Sequence, residues 1–162
     1  MNATVARLLV VEDCIDDERL IIRALKKLDE NMEVHVLRDG EKAADYLCGK
    51  GSSVTRPDLV ILDWKLPLLM GADVLRRVRG TESCKGLPVV IFSSSDCERD
   101  REECRALGGS AYVVKPVEYT KFLSAIQGIV REHCPRRPGG DAPSASMSRE
   151  QEPTVASSPS NP

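Results

Sequence analysis

Five short runs rich in Val, Ile and Leu, at 6–11, 33–37, 58–62, 88–92 and 110–114, alternate along the chain with segments of helical periodicity. Between the first two runs, Leu20, Ile21, Ala24, Leu25 and Leu28 fall on one stripe, the spacing of an amphipathic helix. Phe122, Ile126, Ile129 and Val130 form a similar stripe near the end of the pattern, and shorter helices are predicted at 41–48 and 71–79. Strands that alternate with helices pack as a parallel sheet covered on both faces. Right-handed crossovers then leave few topologies. The fold class is therefore α/β, a doubly wound sheet of five strands with five helices. One helix departs from the pattern. Residues 96–107 are mostly charged, with little beyond Cys104 and Leu107 to bury. Packing supplies most of a helix's stability, so this element is expected to be marginal and movable.

The residues that close the strands narrow the chemistry. The first strand ends on Glu12 and Asp13, the third on Asp63, the fourth on Ser93, and the fifth on Lys115 and Pro116. In a parallel sheet flanked by helices, ligands bind outside the carboxyl ends of the strands. Acids, a hydroxyl and an ammonium thus converge on one pocket, suited to a divalent cation and a phosphoryl group. Asp63 is the candidate nucleophile, because an aspartate can take a phosphoryl group as an acyl phosphate. Glu12, Asp13 and Asp63 repel one another unless a cation sits between them. Mg²⁺ suits the set, since it binds through one or two carboxylates plus waters and phosphate oxygens. Asp13 and Asp63 are expected as direct ligands, Glu12 as a ligand through water, and the backbone carbonyl of Lys65 as a further ligand. Lys115 would pair with Asp63 and then with a phosphate oxygen, to which the Ser93 hydroxyl would also donate. A cis Lys115–Pro116 bond costs little and would aim Lys115 inward. Asp16 reads as a cap for the helix that comes next, and Trp64 as packing.

Composition excludes more than it selects. A formal net charge of −2 gives no electrostatic reason to expect nucleic-acid or membrane binding. No stretch approaches the roughly 20 apolar residues of a transmembrane helix. The N-terminus lacks the pattern of a signal peptide, so a soluble, cytoplasmic protein is expected. None of the six cysteines has zinc-knuckle spacing. Residues 135–162 hold six of the ten prolines and six serines, with almost no large apolar side chains. Such a segment cannot offset its ordering entropy. The expected division is a folded domain over 1–134 and a disordered tail over 135–162.

Over about residues 5–132 the sequence resembles the receiver domains of two-component response regulators. The residues that carry the resemblance are Glu12-Asp13, Asp63 followed by Leu66-Pro67 and Gly71, Ser93, and Lys115-Pro116. The resemblance implies a flavodoxin-like sheet of order 2-1-3-4-5, with Asp63 accepting phosphate from a sensor histidine kinase with Mg²⁺. It also places Tyr112 as the rotating aromatic switch, moving together with Ser93. The stretch 46–57, with Asp39-Gly40 before it, is similar to stand-alone receivers that serve bacterial phytochrome-type kinases. No DNA-binding or enzymatic domain follows residue 132, so the expected output is altered protein–protein binding. The downstream target is not specified, and self-association as a homodimer is left open.

Three alternatives are weaker. A haloacid-dehalogenase-type phosphatase needs a second Asp two positions after its nucleophile on the first strand, where this chain has Ile15. A nucleotide or flavin module needs a Gly-rich loop after Val11, and none is present. A pseudo-receiver that docks without phosphorylation is disfavoured by the complete set of pocket residues.

Overall fold

The computed structural model describes residues 5–49 and 56–135. The elements run β1 (Arg7–Val11), α1 (Ile15–Leu28), β2 (Glu33–Leu37), α2 (Gly40–Cys48), β3 (Leu59–Leu62), α3 (Gly71–Gly80), a 3₁₀ turn (Glu82–Cys84), β4 (Val89–Ser93), α4 (Glu98–Ala106), β5 (Ala111–Val114) and α5 (Tyr119–His133). All strand pairs are parallel, in the order β2-β1-β3-β4-β5. Every predicted strand is present to within a residue at each end. The 3₁₀ turn was not anticipated. No helix among the described residues is long and apolar enough to cross a membrane. Beyond Pro135, the expected tail lies outside the described residues.

Successive strand residues point to opposite faces, and here that alternation builds two separate cores. Leu9, Val11, Val60, Leu62, Val89 and Ile91 pack with Ala43, Leu47, Val74, Leu75 and Val78 of α2 and α3. Leu8, Val10, Leu59, Ile61, Val90 and Phe92 pack instead with Ile21 and Leu25 of α1 and with Phe122, Ile126 and Val130 of α5. Strands β3 and β4 are consequently buried at every position, whereas the edge strands β2 and β5 stay partly exposed. Of the α1 stripe, Ile21, Ala24 and Leu25 are buried, and Leu20 and Leu28 are half-buried at its margins. Cys104 is buried as expected, and it is the only residue of α4 that is.

Two local expectations are corrected. Cys14 occupies the N-cap of α1 and makes no side-chain cap bond, while Asp16 lies inside the first turn beside Asp17 and Glu18. Acids in that turn are favoured by the exposed N–H groups at the helix start, so Asp16 acts by position and not as a cap. No cis peptide bond occurs among the described residues. Lys115 reaches the pocket from a trans bond, because its backbone N–H extends the β4–β5 ladder to the Ser93 carbonyl at 2.8 Å.

Arg79, near the end of α3, ties together two turns at the end of the sheet where β4 and β5 begin. Its guanidinium donates to the carbonyls of Leu87 (2.7 Å), Gly108 (2.9 Å) and Lys85 (3.1 Å). These segments lead directly into β4 and β5. A planar fork of donors serves several carbonyls at once, which a lysine ammonium does not reproduce. Arg79→Ala should lower unfolding stability by about 2–3 kcal/mol, since hydrogen bonds from a charged donor contribute more than neutral ones. Urea denaturation measures this, and a loss under about 0.5 kcal/mol, the scale of an ordinary surface change, would show that the clamp is dispensable.

Candidate functional site

The ladder of the sheet continues one residue past its strands, and that continuation positions the site. The Glu12 N–H donates to the Leu37 carbonyl of β2 at 3.0 Å, and the Asp63 N–H to the Val11 carbonyl of β1 at 3.0 Å. With Lys115 held to Ser93 in the same way, three site residues are fixed by backbone bonds before their side chains make any contact. Glu12, Asp63, Ser93 and Lys115 are all buried, while Asp13 is exposed at the mouth.

The Lys115 ammonium is the centre of the arrangement. It donates to Glu12 Oε2 at 2.6 Å, Asp17 Oδ2 at 2.8 Å and Asp63 Oδ2 at 3.0 Å. An ammonium has three protons, so all of them are used. Burial opposes its charge, but the bonds to Asp17 and Glu12 and the charge of Asp63 outweigh burial and raise its pKa above the ordinary lysine value. Glu12 is shifted by the same environment. Burial pushes its carboxyl up to about 7, against the bond from Lys115 and with the charge of Asp63 adding to the rise. Its second oxygen, Oε1, accepts the Cys14 N–H at 3.1 Å.

One oxygen from each of Glu12, Asp13 and Asp63 lies within 4.8 Å of the others. Carboxylate oxygens at this spacing fit a hard divalent cation such as Mg²⁺ or Mn²⁺. The Asp63 carboxylate is further oriented by Lys65, whose backbone N–H donates to Oδ1 at 3.3 Å while its side chain is exposed. The loop after Asp63 folds tightly back on it. Leu68 takes φ 66°, and the Leu69 N–H closes a three-residue turn onto the Pro67 carbonyl at 2.8 Å. Gly71 starts α3 directly against the backbone of Asp63. A Cβ there would stand 2.5 Å from the Asp63 carbonyl and 2.9 Å from Trp64 Cα, so any side chain at this position would displace Asp63.

Ser93 and Tyr112 meet through Ser95. The Ser93 hydroxyl accepts the Ser95 N–H at 3.3 Å, and the Tyr112 hydroxyl donates to the Ser95 carbonyl at 2.8 Å. The Tyr112 ring lies edge-on to buried Trp64, with centroids 6.1 Å apart, and Arg101 sits 5.5 Å from its centroid on the α4 side. Ser95 and Asp17 were both missed by sequence reasoning. Asp17 reads as one more acid in a helical first turn, and its partner is 98 positions away. Ser95 sits in a run of three serines with nothing to single it out.

The profile of the response regulator receiver domain matches residues 9–127. The chain belongs to this family. Response regulator Rcp1 of Synechocystis sp. is 32% identical over 124 residues, covering 75% of this chain and 84% of that protein. The crystal structure of the phosphorylated cyanobacterial phytochrome response regulator RcpA superposes with a TM-score of 0.76 at 32% identity, covering 80% of this chain and 94% of that one. The bacteriophytochrome response regulator AtBRR is 40% identical with a TM-score of 0.62, covering 76% and 91%. The expected likeness to stand-alone receivers of phytochrome systems therefore holds, although residues 50–55 of the stretch that suggested it lie outside those described. Rcp1 has also been crystallised in a Mn²⁺-bound form, with a TM-score of 0.71 to this receiver domain at 32% identity, covering 77% and 91%.

A Glu12 that helps hold a cation must be charged, and burial pushes its pKa up to about 7. Divalent affinity should therefore rise with pH and fall about tenfold between pH 8 and pH 6, as proton and metal compete. Mg²⁺ titrations at each pH, followed by Trp64 fluorescence, measure this. A flat profile would mean that the Glu12 charge takes no part in holding the ion.

Proposed function

We propose that this chain is a phosphoacceptor of a two-component system, taking a phosphoryl group from the phosphohistidine of a cytoplasmic sensor kinase onto Asp63. The observation that carries this reading is the Lys115 ammonium bonded to Asp63 beside a three-carboxylate cluster. An Asp63 oxygen attacks phosphorus, forming the O–P bond as the N–P bond breaks, and the imidazole leaves with its electron pair. Asp13 and Asp63 would hold Mg²⁺ directly, with Glu12 acting through water and the Lys65 carbonyl as a further ligand. When bound, the ion neutralises charge on the carboxylates and the phosphoryl oxygens. Phosphoryl transfer depends chiefly on positioning and electrostatics, and the pocket supplies both through Lys115 and the fixed Asp63 carboxylate.

The signal would pass from the pocket through Ser93. A hydroxyl that turns to donate to a phosphoryl oxygen pulls on the Ser95 N–H it accepts. Ser95 in turn holds Tyr112, so Tyr112 loses its acceptor and the surface of α4 and β5 changes. Binding of a protein partner would read that change.

Asp63→Asn keeps the shape and removes the nucleophilic oxygen. It should take no phosphoryl group from acetyl phosphate and Mg²⁺ while the parent chain gains one by intact mass; equal labelling would exclude Asp63 as the acceptor. Lys65 supplies a second check. Its exposed side chain stands two residues from Asp63, where it would crowd the line of approach of a hydrolytic water. In a loose transition state little charge builds on the non-bridging oxygens, so steric blocking should outweigh electrostatic assistance. Lys65→Ala should shorten the acyl-phosphate lifetime roughly threefold, about 0.7 kcal/mol off the barrier. Decay followed after donor removal tests this, and a longer lifetime would show that the lysine promotes hydrolysis.

A further inference from the structure

We propose that Asp17 is a positioning residue of this site, tethering the Lys115 ammonium over Asp63 while the other two acceptors are drawn away. The inference rests on the phosphoacceptor reading. Each proton of Lys115 has one partner: Glu12, Asp17 and Asp63. Two of these partners belong to the group of carboxylates whose oxygens gather within 4.8 Å of one another, and Asp17 does not. A cation in that group competes with Lys115 for Glu12. A phosphoryl group on Asp63 changes the charge and the place of the oxygen that Lys115 must follow. Asp17 is the acceptor that neither event claims.

Its location fits that role. Asp17 sits in the first turn of α1, on a helix anchored by Ile21 and Leu25 in the core. Its side chain is 28% exposed, against 6% for Lys115 and 2% for Glu12, so it holds the ammonium from the solvent side. A lysine side chain is a flexible four-carbon stem. With Glu12 recruited elsewhere and no Asp17, it would have one moving partner and would sample positions off the line to the phosphoryl oxygens. Small misplacements of a group that must meet a transferring phosphoryl reduce rate steeply. An asparagine oxygen at position 17 would still accept the bond. The tether therefore predicts rescue by Asp17→Asn, whereas a general contribution of negative charge does not.

The full-length chain serves for the test, with phosphorylation from acetyl phosphate at saturating Mg²⁺ followed by intact mass. Asp17→Ala should slow labelling about fivefold, within the range expected of coupled neighbours, and Asp17→Asn should stay within about twofold of the parent. In a Lys115→Ala background, adding Asp17→Ala should change nothing further. Slowing of the same size in both backgrounds, an Asp17→Asn variant as slow as Asp17→Ala, or an Asp17→Ala variant as fast as the parent would each overturn the proposal. A second readout needs no phosphorylation. With lysine labelled in ¹⁵N and Mg²⁺ present, the Lys115 Nζ resonance, identified by its loss in Lys115→Ala, should be sharp in the parent and broadened in Asp17→Ala. An unchanged resonance would overturn the tether by itself. A parent that never labels on Asp63, yet loses the resonance in Asp17→Ala, would sink the phosphoacceptor reading and leave the tether standing.

Discussion

Glu12, Asp13, Asp17 and Asp63 crowd one end of the sheet, and the Lys115 ammonium is the cation that bonds three of them. Carboxylates held this close raise one another's energy, and burial of Glu12 and Asp63 adds a desolvation cost that an ion pair only partly recovers. The arrangement does not persist for its own stability. It persists because the backbone rungs at Glu12, Asp63 and Lys115 belong to a ladder whose strands are packed on both faces. Two hydrophobic cores hold the sheet, and the sheet holds the acids. A site strained in this way suits a divalent cation, which would relieve the repulsion without rearranging the scaffold.

The fold was legible because its signal is local. Runs of β-branched residues mark strands and stripes such as Ile21, Ala24 and Leu25 mark helices, without knowledge of any distant contact. Glu12, Asp63, Ser93 and Lys115 were legible for a related reason: each closes a strand, and the parallel topology brings strand ends together. Asp17 was not, since the interaction that distinguishes it spans the whole sheet. The same holds for Ser95, whose place between Ser93 and Tyr112 depends on how the chain turns after β4. Asp16 failed as a cap because the helix begins two residues earlier than its side chain would require, with Cys14 at the N-cap. The cis bond before Pro116 proved unnecessary, because the ladder bond to Ser93 already aims Lys115 inward.

Parity along the strands also separates two jobs. Leu8, Val10, Ile61 and Phe92 face α1 and α5, whose aromatic and aliphatic residues interlock, as in the edge-on pair of Phe92 and Phe122 at 5.0 Å. The opposite face meets α2 and α3 well but α4 thinly. Rigidity therefore lies on the side that carries Asp17, and compliance on the side that carries Tyr112. The proposed tether at Asp17 would draw on the first property, and a switch at Tyr112 would draw on the second.

The thin attachment of α4 has a consequence for its dynamics. Cys104 is its one buried side chain, and the remaining surface is carried by ion pairs such as Arg101 with Asp96. Exposed pairs of this kind contribute little. Native proteins open in local units whose free energies follow their buried contacts. The amide hydrogens of α4 would therefore exchange with solvent deuterium through a small local opening, while those of β1 and β3 would wait for the whole domain to unfold. Such an opening frees one wall of the Tyr112 pocket without disturbing the sheet that carries Asp63.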